Sequence, residues 1–248
     1  MPFTLAHPSI LFPFLRKSSR LSATALIIGS MMPDVEFIGQ LEQSNNYAHH
    51  LPGLFLFNIP VGLLLCFAFQ RYVKVNLIYH LPAFLRERFH FALHNDWLAY
   101  AKKNRLWLLL SLLIGIFSHV LWDAFTHENK FVLNIIPSLA GNVSIFNRVM
   151  PIYHLLQIVS SVFGLIILLG VVLKLPRKET EIDFHSKIYW LRFFVLALAL
   201  GIIRFVFLDF NNTFWDIVVG IMGIGLYAGL INSLYYSLWL RRLKTEAP

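Results

Sequence analysis

The chain has 248 residues, of which 57% are hydrophobic and 14% are charged, and its mean hydropathy is +0.64. This composition is more apolar than that of a soluble domain and is typical of an integral membrane protein. The formal charge of +8 does not indicate nucleic-acid binding, because the basic residues are spread over short loops and form no single face. The single cysteine, Cys66, excludes an internal disulfide and a thiolate cage for a metal.

The first two apolar stretches of the chain are short. Residues 8–14 and 21–33 lie on either side of a basic segment, residues 16–20. At about 1.5 Å per residue, neither stretch is long enough to cross the ~30 Å hydrocarbon core of a bilayer easily. The pattern predicts a short or re-entrant helical hairpin with the basic residues at its tip.

Five longer apolar runs follow, and each approaches the ~20 residues that a transmembrane helix needs. They cover residues 54–69, 106–122, 155–173, 193–208 and 217–240. The predicted fold is therefore all-α, a polytopic transmembrane helix bundle with about five spanning helices after the hairpin. No long-period repeat or low-complexity segment divides the chain, so we expect residues 1–248 to form a single integral membrane domain.

The connections between these helices alternate in charge. Those on one side of the predicted bilayer, including the C-terminal tail, hold 18 of the 21 Lys and Arg residues. Those on the other side hold two, Lys130 and Arg148. Because basic loops stay in the cytoplasm, the C-terminus is predicted to be cytoplasmic.

The basic loop after the first span contains an amphipathic pattern. Residues 81–97 carry apolar side chains, including Phe84 and Phe89, at three- and four-residue spacing among Arg86 and Arg88. This pattern predicts one interfacial helix that lies on anionic membrane lipids.

Chemically reactive side chains collect at the opposite, extracytoplasmic side. His119, Asp123 and His127 follow one another at four-residue spacing at the end of the second span, so a helix would place them on one face. Ionisable groups near hydrocarbon are costly unless they are paired or coordinated. We interpret the three residues as part of a metal site; the alternative is a cluster of ordinary polar groups at a helix end.

Other segments return to the same side, and they bring His7, Asp34, the pair His49 and His50, and His154. Imidazole and carboxylate ligands suit zinc, with manganese and iron as alternatives. Such a divalent metal lowers the pKa of bound water toward ~7, and a carboxylate that bridges two ions would stabilise a phosphorane-like transition state. Asp34 and Asp123 are the candidates for this catalytic role.

Several motifs resemble a bacterial family of membrane proteins, domain of unknown function 4184, over nearly the whole chain. They are the opening Met-Pro-Phe-Thr-Leu-Ala-His-Pro, Ile-Gly-Ser-Met-Met-Pro-Asp at 28–34, His-Leu-Pro-Gly-Leu at 50–54, Ser118-His119 through Thr126-His127, Leu-Leu-Gln at 155–157 and Ser160-Ser161. More remotely, the order of histidines and aspartates is similar to that of inner-membrane metal-dependent hydrolases and of the zinc-dependent phospholipase C and nuclease superfamily. The resemblance implies a bacterial inner-membrane protein.

The remote resemblance also implies a set of metal ligands, with Asp34 bridging two ions. The set is His7, Asp34, His50, His119, Asp123, His127 and His154. The sequence departs from the soluble enzymes at Ile158, where they carry a glutamate four residues after the last histidine. The resemblance therefore does not extend to a complete three-ion site.

Three functions agree with these patterns. The first is a metal-dependent hydrolase that acts on a phosphodiester or phospholipid at the outer leaflet. The second is a transporter or metal-handling protein in which Arg204, Asp209 and Asp216 line a path. The third is a non-catalytic membrane scaffold, in which the polar residues serve only packing. Against transport, the sequence has no evident inverted repeat and no matched pair of broken midplane helices.

Overall fold

The computed structural model describes residues 3–13, 20–41, 47–145, 148–179, 186–207 and 214–246. Short 3₁₀ helices cover Thr4–Leu11, Tyr47–His49, His90–His94 and Pro137–Ala140. The helices are α1 (Ala23–Gly29), α2 (Met32–Gln40), α3 (Leu51–His80), α4 (Ala83–Phe89), α5 (Trp97–Lys103), α6 (Arg105–Thr126), α7 (Lys130–Ile135), α8 (Ile152–Lys174), α9 (Ser186–Phe207) and α10 (Phe214–Glu246). Two short strands, β1 (Asn142–Ile145) and β2 (Arg148–Pro151), precede α8.

Five of the described helices are long and apolar enough to cross a membrane. They are α3, α6, α8, α9 and the Asp216–Leu238 part of α10. This confirms the predicted all-α polytopic bundle and its five spans. The helix that contains the first span is longer than predicted, because it continues past the apolar run to His80 through a π-helical turn at Phe69–Val73.

The predicted N-terminal hairpin is described only on its two sides. Its tip, with Arg16 and Lys17, lies outside the described residues. Before the tip the chain forms the 3₁₀ helix Thr4–Leu11, which contains Pro8; a proline has no backbone N–H to donate within a helix. After the tip, α1 begins at Ala23, where the Ser22 side chain accepts a hydrogen bond from the Ala25 amide at 3.2 Å, as an N-cap does.

The prediction of one amphipathic helix over residues 81–97 is wrong. The segment is divided into α4, the 3₁₀ helix His90–His94 and the start of α5. Pro82 disfavours helical backbone at the preceding residue, and Leu81 is extended. At the other end Asp96 begins a new helix, because its carboxylate accepts a hydrogen bond from the Ala99 amide at 2.9 Å.

The described residues form two compact units. The first comprises Met1–Asp34, Tyr47–Leu63 and Ala101–Lys174. In it α1 lies directly against α6, since a Cβ atom on Gly115 would stand 2.5 Å from the Leu26 carbonyl oxygen. The Ser22 amide also donates to Ser111 Oγ at 2.9 Å. Glycine is required at this crossing because any side chain would separate the two backbones.

The N-terminal 3₁₀ helix packs against α8 in the same unit. A Cβ atom on Gly164 would meet Ser9 Oγ at 2.9 Å, so the two backbones approach closely. The Phe3 amide donates to Ser161 Oγ at 3.0 Å, and the Trp122 indole donates to Ser160 Oγ at 3.0 Å. These contacts fix His7 between α6 and α8.

The second unit comprises Val35–Asn46, Leu64–Tyr100 and Leu175–Pro248. Buried polar side chains join its helices. Asn76 Nδ2 donates to the Ser233 carbonyl at 3.0 Å, Tyr189 and Ser233 share a hydroxyl hydrogen bond of 3.1 Å, and Asn232 Nδ2 donates to the Tyr189 carbonyl at 3.1 Å. Internal pairing of polar groups is expected where the surroundings offer little water.

Candidate metal centre

The centre of the site is the last part of α6. His119 is fully buried, and its Nδ1 lies 2.8 Å from the Ser30 carbonyl oxygen, which ends α1. Because a carbonyl oxygen only accepts, Nδ1 carries a proton, and in the neutral imidazole the lone pair is therefore on Nε2. Such a hydrogen bond is the usual way in which a protein orients an imidazole ligand toward a metal.

Asp34 lies opposite His119, in the first turn of α2, and is fully buried. The Thr4 hydroxyl donates to its Oδ2 at 2.6 Å. Oδ1 has no hydrogen-bond partner and points to His119 Nε2, which is 3.6 Å away. One oxygen of this carboxylate is therefore held in place, and the other is available as a ligand.

His49 completes the group from the short 3₁₀ helix that precedes α3. Its Nε2 lies 3.5 Å from Asp34 Oδ1 and 3.6 Å from Asp123 Oδ2. The turn is anchored by Asn58, which donates to the Ala48 carbonyl at 2.9 Å. A side chain at Gly53 would collide with the Tyr47 carbonyl, so the glycine lets the turn fold back onto α3.

The four donor atoms have the spacing of metal ligands. His119 Nε2 is 3.3 Å from Asp123 Oδ2, and the ligand atoms of Asp34, His49, His119 and Asp123 all lie within 4.8 Å of one another. Zinc binds nitrogen and oxygen at about 2.0–2.2 Å in a tetrahedron, which places neighbouring ligands roughly 3.3–3.6 Å apart. The four residues could therefore hold a metal ion with small adjustments of their side chains.

Hydrogen bonds among the four residues do not satisfy all of their buried donor atoms, as a bound metal ion would. His119 Nε2 and Asp34 Oδ1 are buried without a hydrogen-bond partner, and their separation of 3.6 Å exceeds the 2.7–2.9 Å of a charge-assisted hydrogen bond. Buried carboxylates are unfavourable unless a positive charge compensates them. A divalent cation would satisfy the lone pairs of both residues and would balance the two negative charges.

Two more histidines approach the other oxygen of Asp123. His7 Nε2 and His127 Nδ1 each lie 3.7 Å from Asp123 Oδ1, and Oδ1 is buried without a hydrogen-bond partner. The His7 ring stacks on His119 with centroids 3.9 Å apart. Since α6 ends at Thr126, His127 is in extended conformation and does not continue the helical stack that its spacing predicted.

The electrostatic environment differs among the histidines that lie outside the spans. Burial, with the nearby His119 ring, lowers the pKa of His7 to about 3, so this imidazole is neutral. Burial also lowers the pKa of His127. At His49, burial opposes protonation, but the carboxylates of Asp123 and Asp34 outweigh it and raise the pKa to about 9. Burial of Asp34 likewise opposes its charge, yet His119 and His49 lower its pKa overall.

The structure brings together five of the seven residues in the predicted ligand set, and it adds His49. The five are His7, Asp34, His119, Asp123 and His127. His50 is exposed. Its neighbour His49 occupies the ligand position that the resemblance assigned to His50. His154 is half-buried. Within residues 3–13, 20–41, 47–145 and 148–179, no hydrogen bond or ion pair joins it to the cluster.

Asp123 is better placed than Asp34 to bridge two ions. Its Oδ2 faces His49 and His119, and its Oδ1 faces His7 and His127. Asp34 has one unpartnered oxygen, Oδ1, since Oδ2 already accepts the Thr4 hydroxyl. The resemblance had assigned the bridging role to Asp34; sequence reasoning alone had left both residues as candidates.

The family model for a domain of unknown function (DUF4184) matches residues 1–236. The chain belongs to this family. No curated protein and no solved structure matches the chain at a significant level. The DUF4184 assignment thus agrees with the sequence motifs, and it includes every residue of the candidate centre.

Proposed function

We propose that this protein is a metal-dependent hydrolase embedded in the bacterial inner membrane, with its active site at the extracytoplasmic face. The main support is the convergence of four donor atoms from Asp34, His49, His119 and Asp123, two of which, on the buried Asp34 and His119, have no hydrogen bond. Such orphaned ligand atoms are expected where an ion is part of the native structure.

The proposed ion is zinc, because a mixed set of imidazole and carboxylate ligands suits it. Manganese and iron are the alternatives. When bound, the ion supplies a Lewis acid that makes water a nucleophile near neutral pH. The protein itself orients the ligands, through Ser30 on His119 and Thr4 on Asp34.

We assign catalytic roles to Asp34 and Asp123. Asp34 would hold the ion, whereas Asp123 would also present a second, unpartnered oxygen, Oδ1, beside His7 and His127. This oxygen is placed to accept a proton from the attacking water. In the proposed reaction the water oxygen bonds to phosphorus, the ester P–O bond breaks, and the proton is transferred to the leaving oxygen.

The side of the cluster next to His127 is the proposed substrate entrance. The side chain of His127 is 34% exposed and that of Asp123 is 13% exposed, whereas those of Asp34 and His119 are fully buried. A phosphoester could therefore approach from the His127 side without opening the buried half of the cluster; Asp123 Oδ1 itself is buried and becomes accessible when a neighbouring side chain moves. Membrane lipids are the proposed partners, and a phospholipid or another phosphodiester is the proposed substrate.

The position of the cluster along α6 supports a site at a membrane surface. Asp123 is three residues from the last residue of this helix, Thr126, which corresponds to about 5 Å along the axis. Transport sites usually lie near the middle of the bilayer. Of the residues assigned to a transport path, Arg204 and Asp216 are buried in the second unit, and Asp209 lies outside the described residues.

The test is elemental analysis of the detergent-purified protein, combined with a screen of phospholipid and phosphodiester cleavage. Wild type should carry metal and turn over one of these substrates, and His119→Ala and Asp123→Ala should lose both properties. Bound metal with no cleavage, but with metal flux in liposomes, would favour the metal-handling alternative. Unchanged metal content in both variants would exclude the proposed ligands.

A further inference from the structure

Three large apolar side chains between α6 and α8 are strongly exposed. Phe131 in α7 is 73% exposed, Ile135 in the same helix 64%, and Val149 in β2 70%. Clustered exposed apolar groups usually mark a surface that contacts another molecule; Phe131 and Ile135 belong to one short helix, and Val149 lies in the same connection between α6 and α8. These three residues, called here the outer apolar face, have no role in the metal centre.

The short helix α7 presents two of these residues together. Phe131 and Ile135 are four residues apart and therefore lie on one side of the helix. Val132 is 7% exposed and attaches the helix to the protein. The apolar side formed by Phe131 and Ile135 is therefore not the side that α7 uses for folding.

The chain on both sides of the outer apolar face belongs to spanning helices. α6 ends at Thr126 and α8 begins at Ile152, so the residues between them lie close to one membrane surface. The outward side of α6 is apolar up to its end, where Leu121 is 57% and Phe125 41% exposed. In a spanning helix this side is in contact with lipid, and the outer apolar face follows it within a few residues of chain.

Two cations accompany this surface. Lys130 is next to Phe131, Arg148 is next to Val149, and both are exposed. Long basic side chains beside apolar ones are typical of segments at the boundary between headgroups and acyl chains, where the charged ends reach lipid phosphates. A surface in contact with water would have no need of Phe131 and Ile135 at this level of exposure.

We infer that the outer apolar face is inserted into the extracytoplasmic leaflet, with Phe131, Ile135 and Val149 among the upper parts of the acyl chains and Lys130 and Arg148 at the phosphates. The partner is the lipid surface itself. The segment is a membrane-interface element, and this role is independent of the proposed hydrolase activity.

The test uses a nitroxide label on single cysteines in proteoliposomes of phosphatidylethanolamine and phosphatidylglycerol. Cys66 is fully buried and can stay in place, with the unmodified chain as the labelling control. The labelled variants are Phe131→Cys and Val149→Cys, and the matched polar control in the same segment is Asn142→Cys, at an exposed position. Collision of the label with oxygen and with a water-soluble nickel chelate is then measured.

Insertion predicts high oxygen and low nickel accessibility at positions 131 and 149, and the reverse at position 142. High nickel accessibility at 131 and 149 would show that the segment is in water and would overturn the inference. Low accessibility to both reagents would show that protein, for example a second copy of the chain, covers the face, and would overturn it too. None of these outcomes depends on metal binding or cleavage.

Discussion

The pair His49 and His50 offers a sharp test of the metal centre, because adjacent residues have opposite predicted effects. His49 Nε2 lies 3.5 Å from Asp34 Oδ1 and 3.6 Å from Asp123 Oδ2, whereas His50 is exposed. We expect His49→Ala to weaken zinc binding strongly and His50→Ala to leave it unchanged. The substitutions are identical in size and lie in the same turn of chain.

The size of the effect follows from the number of ligands. Mutation of a residue that only supports a ligand typically weakens metal binding about 10–100-fold, so removal of one of four direct ligands should weaken it by at least about 100-fold. At free zinc of about 100 times the wild-type Kd, the ion stabilises the fold by about 2.7 kcal/mol. In His49→Ala the same zinc concentration would contribute only about 0.4 kcal/mol.

The assay compares the zinc-dependent rise in melting temperature of each purified variant, with competition against a fluorescent chelator for Kd. Since every variant is compared with its own metal-free form, any effect of the substitution on the apo fold cancels. A retained zinc effect in His49→Ala, or a lost one in His50→Ala, would refute the assignment of His49 as a ligand.

Three further predictions concern the support of this centre. Thr4→Val should weaken zinc binding about 10–100-fold, because it removes the hydroxyl that donates to Asp34 Oδ2 at 2.6 Å. Chelator competition measures the Kd, and Thr4→Ser should retain the wild-type value. Gly29→Ala would push a Cβ atom into the Leu112 carbonyl and should lower the free energy of unfolding by about 1–3 kcal/mol. Gly170→Ala, where a Cβ atom meets nothing within 4 Å, should not lower it in the same denaturation experiment and should raise it by up to about 1 kcal/mol, because alanine is favoured over glycine inside a helix. Zinc affinity should increase by about tenfold per pH unit between about pH 6 and pH 8, because the pKa of His49 is raised to about 9 and its proton must leave when the ion binds; a flat pH profile in chelator competition would contradict this.

The spanning helices could be predicted from sequence because their signal is local. A run of about 20 apolar residues has few alternatives to a helix in lipid. The ends were less predictable: α3 continues through Arg71 and Lys74 to His80, where hydropathy no longer marks it. The β1–β2 hairpin was not predicted, since eight residues in two short strands carry too weak a pattern to separate from a loop.

The centre of the site could be predicted for a related reason. His119 and Asp123 are one helical turn apart inside an apolar span, and this spacing alone places them on one face. The choice between His49 and His50 could not be made, because it depends on the 3₁₀ turn that Gly53 allows. His127 could be placed near Asp123, but the end of α6 at Thr126 was not visible in the regular spacing.

The side chains of the cluster differ in exposure, and this difference bears on whether the metal ion is structural or catalytic. An ion held only by Asp34, His49, His119 and Asp123 would have four protein ligands, which is typical of a structural zinc site. Catalysis needs an open position for water, and the side of the cluster that is partly exposed is the one formed by His127. Substitution of His127 should therefore reduce turnover far more than metal content, whereas substitution of His49 should reduce both.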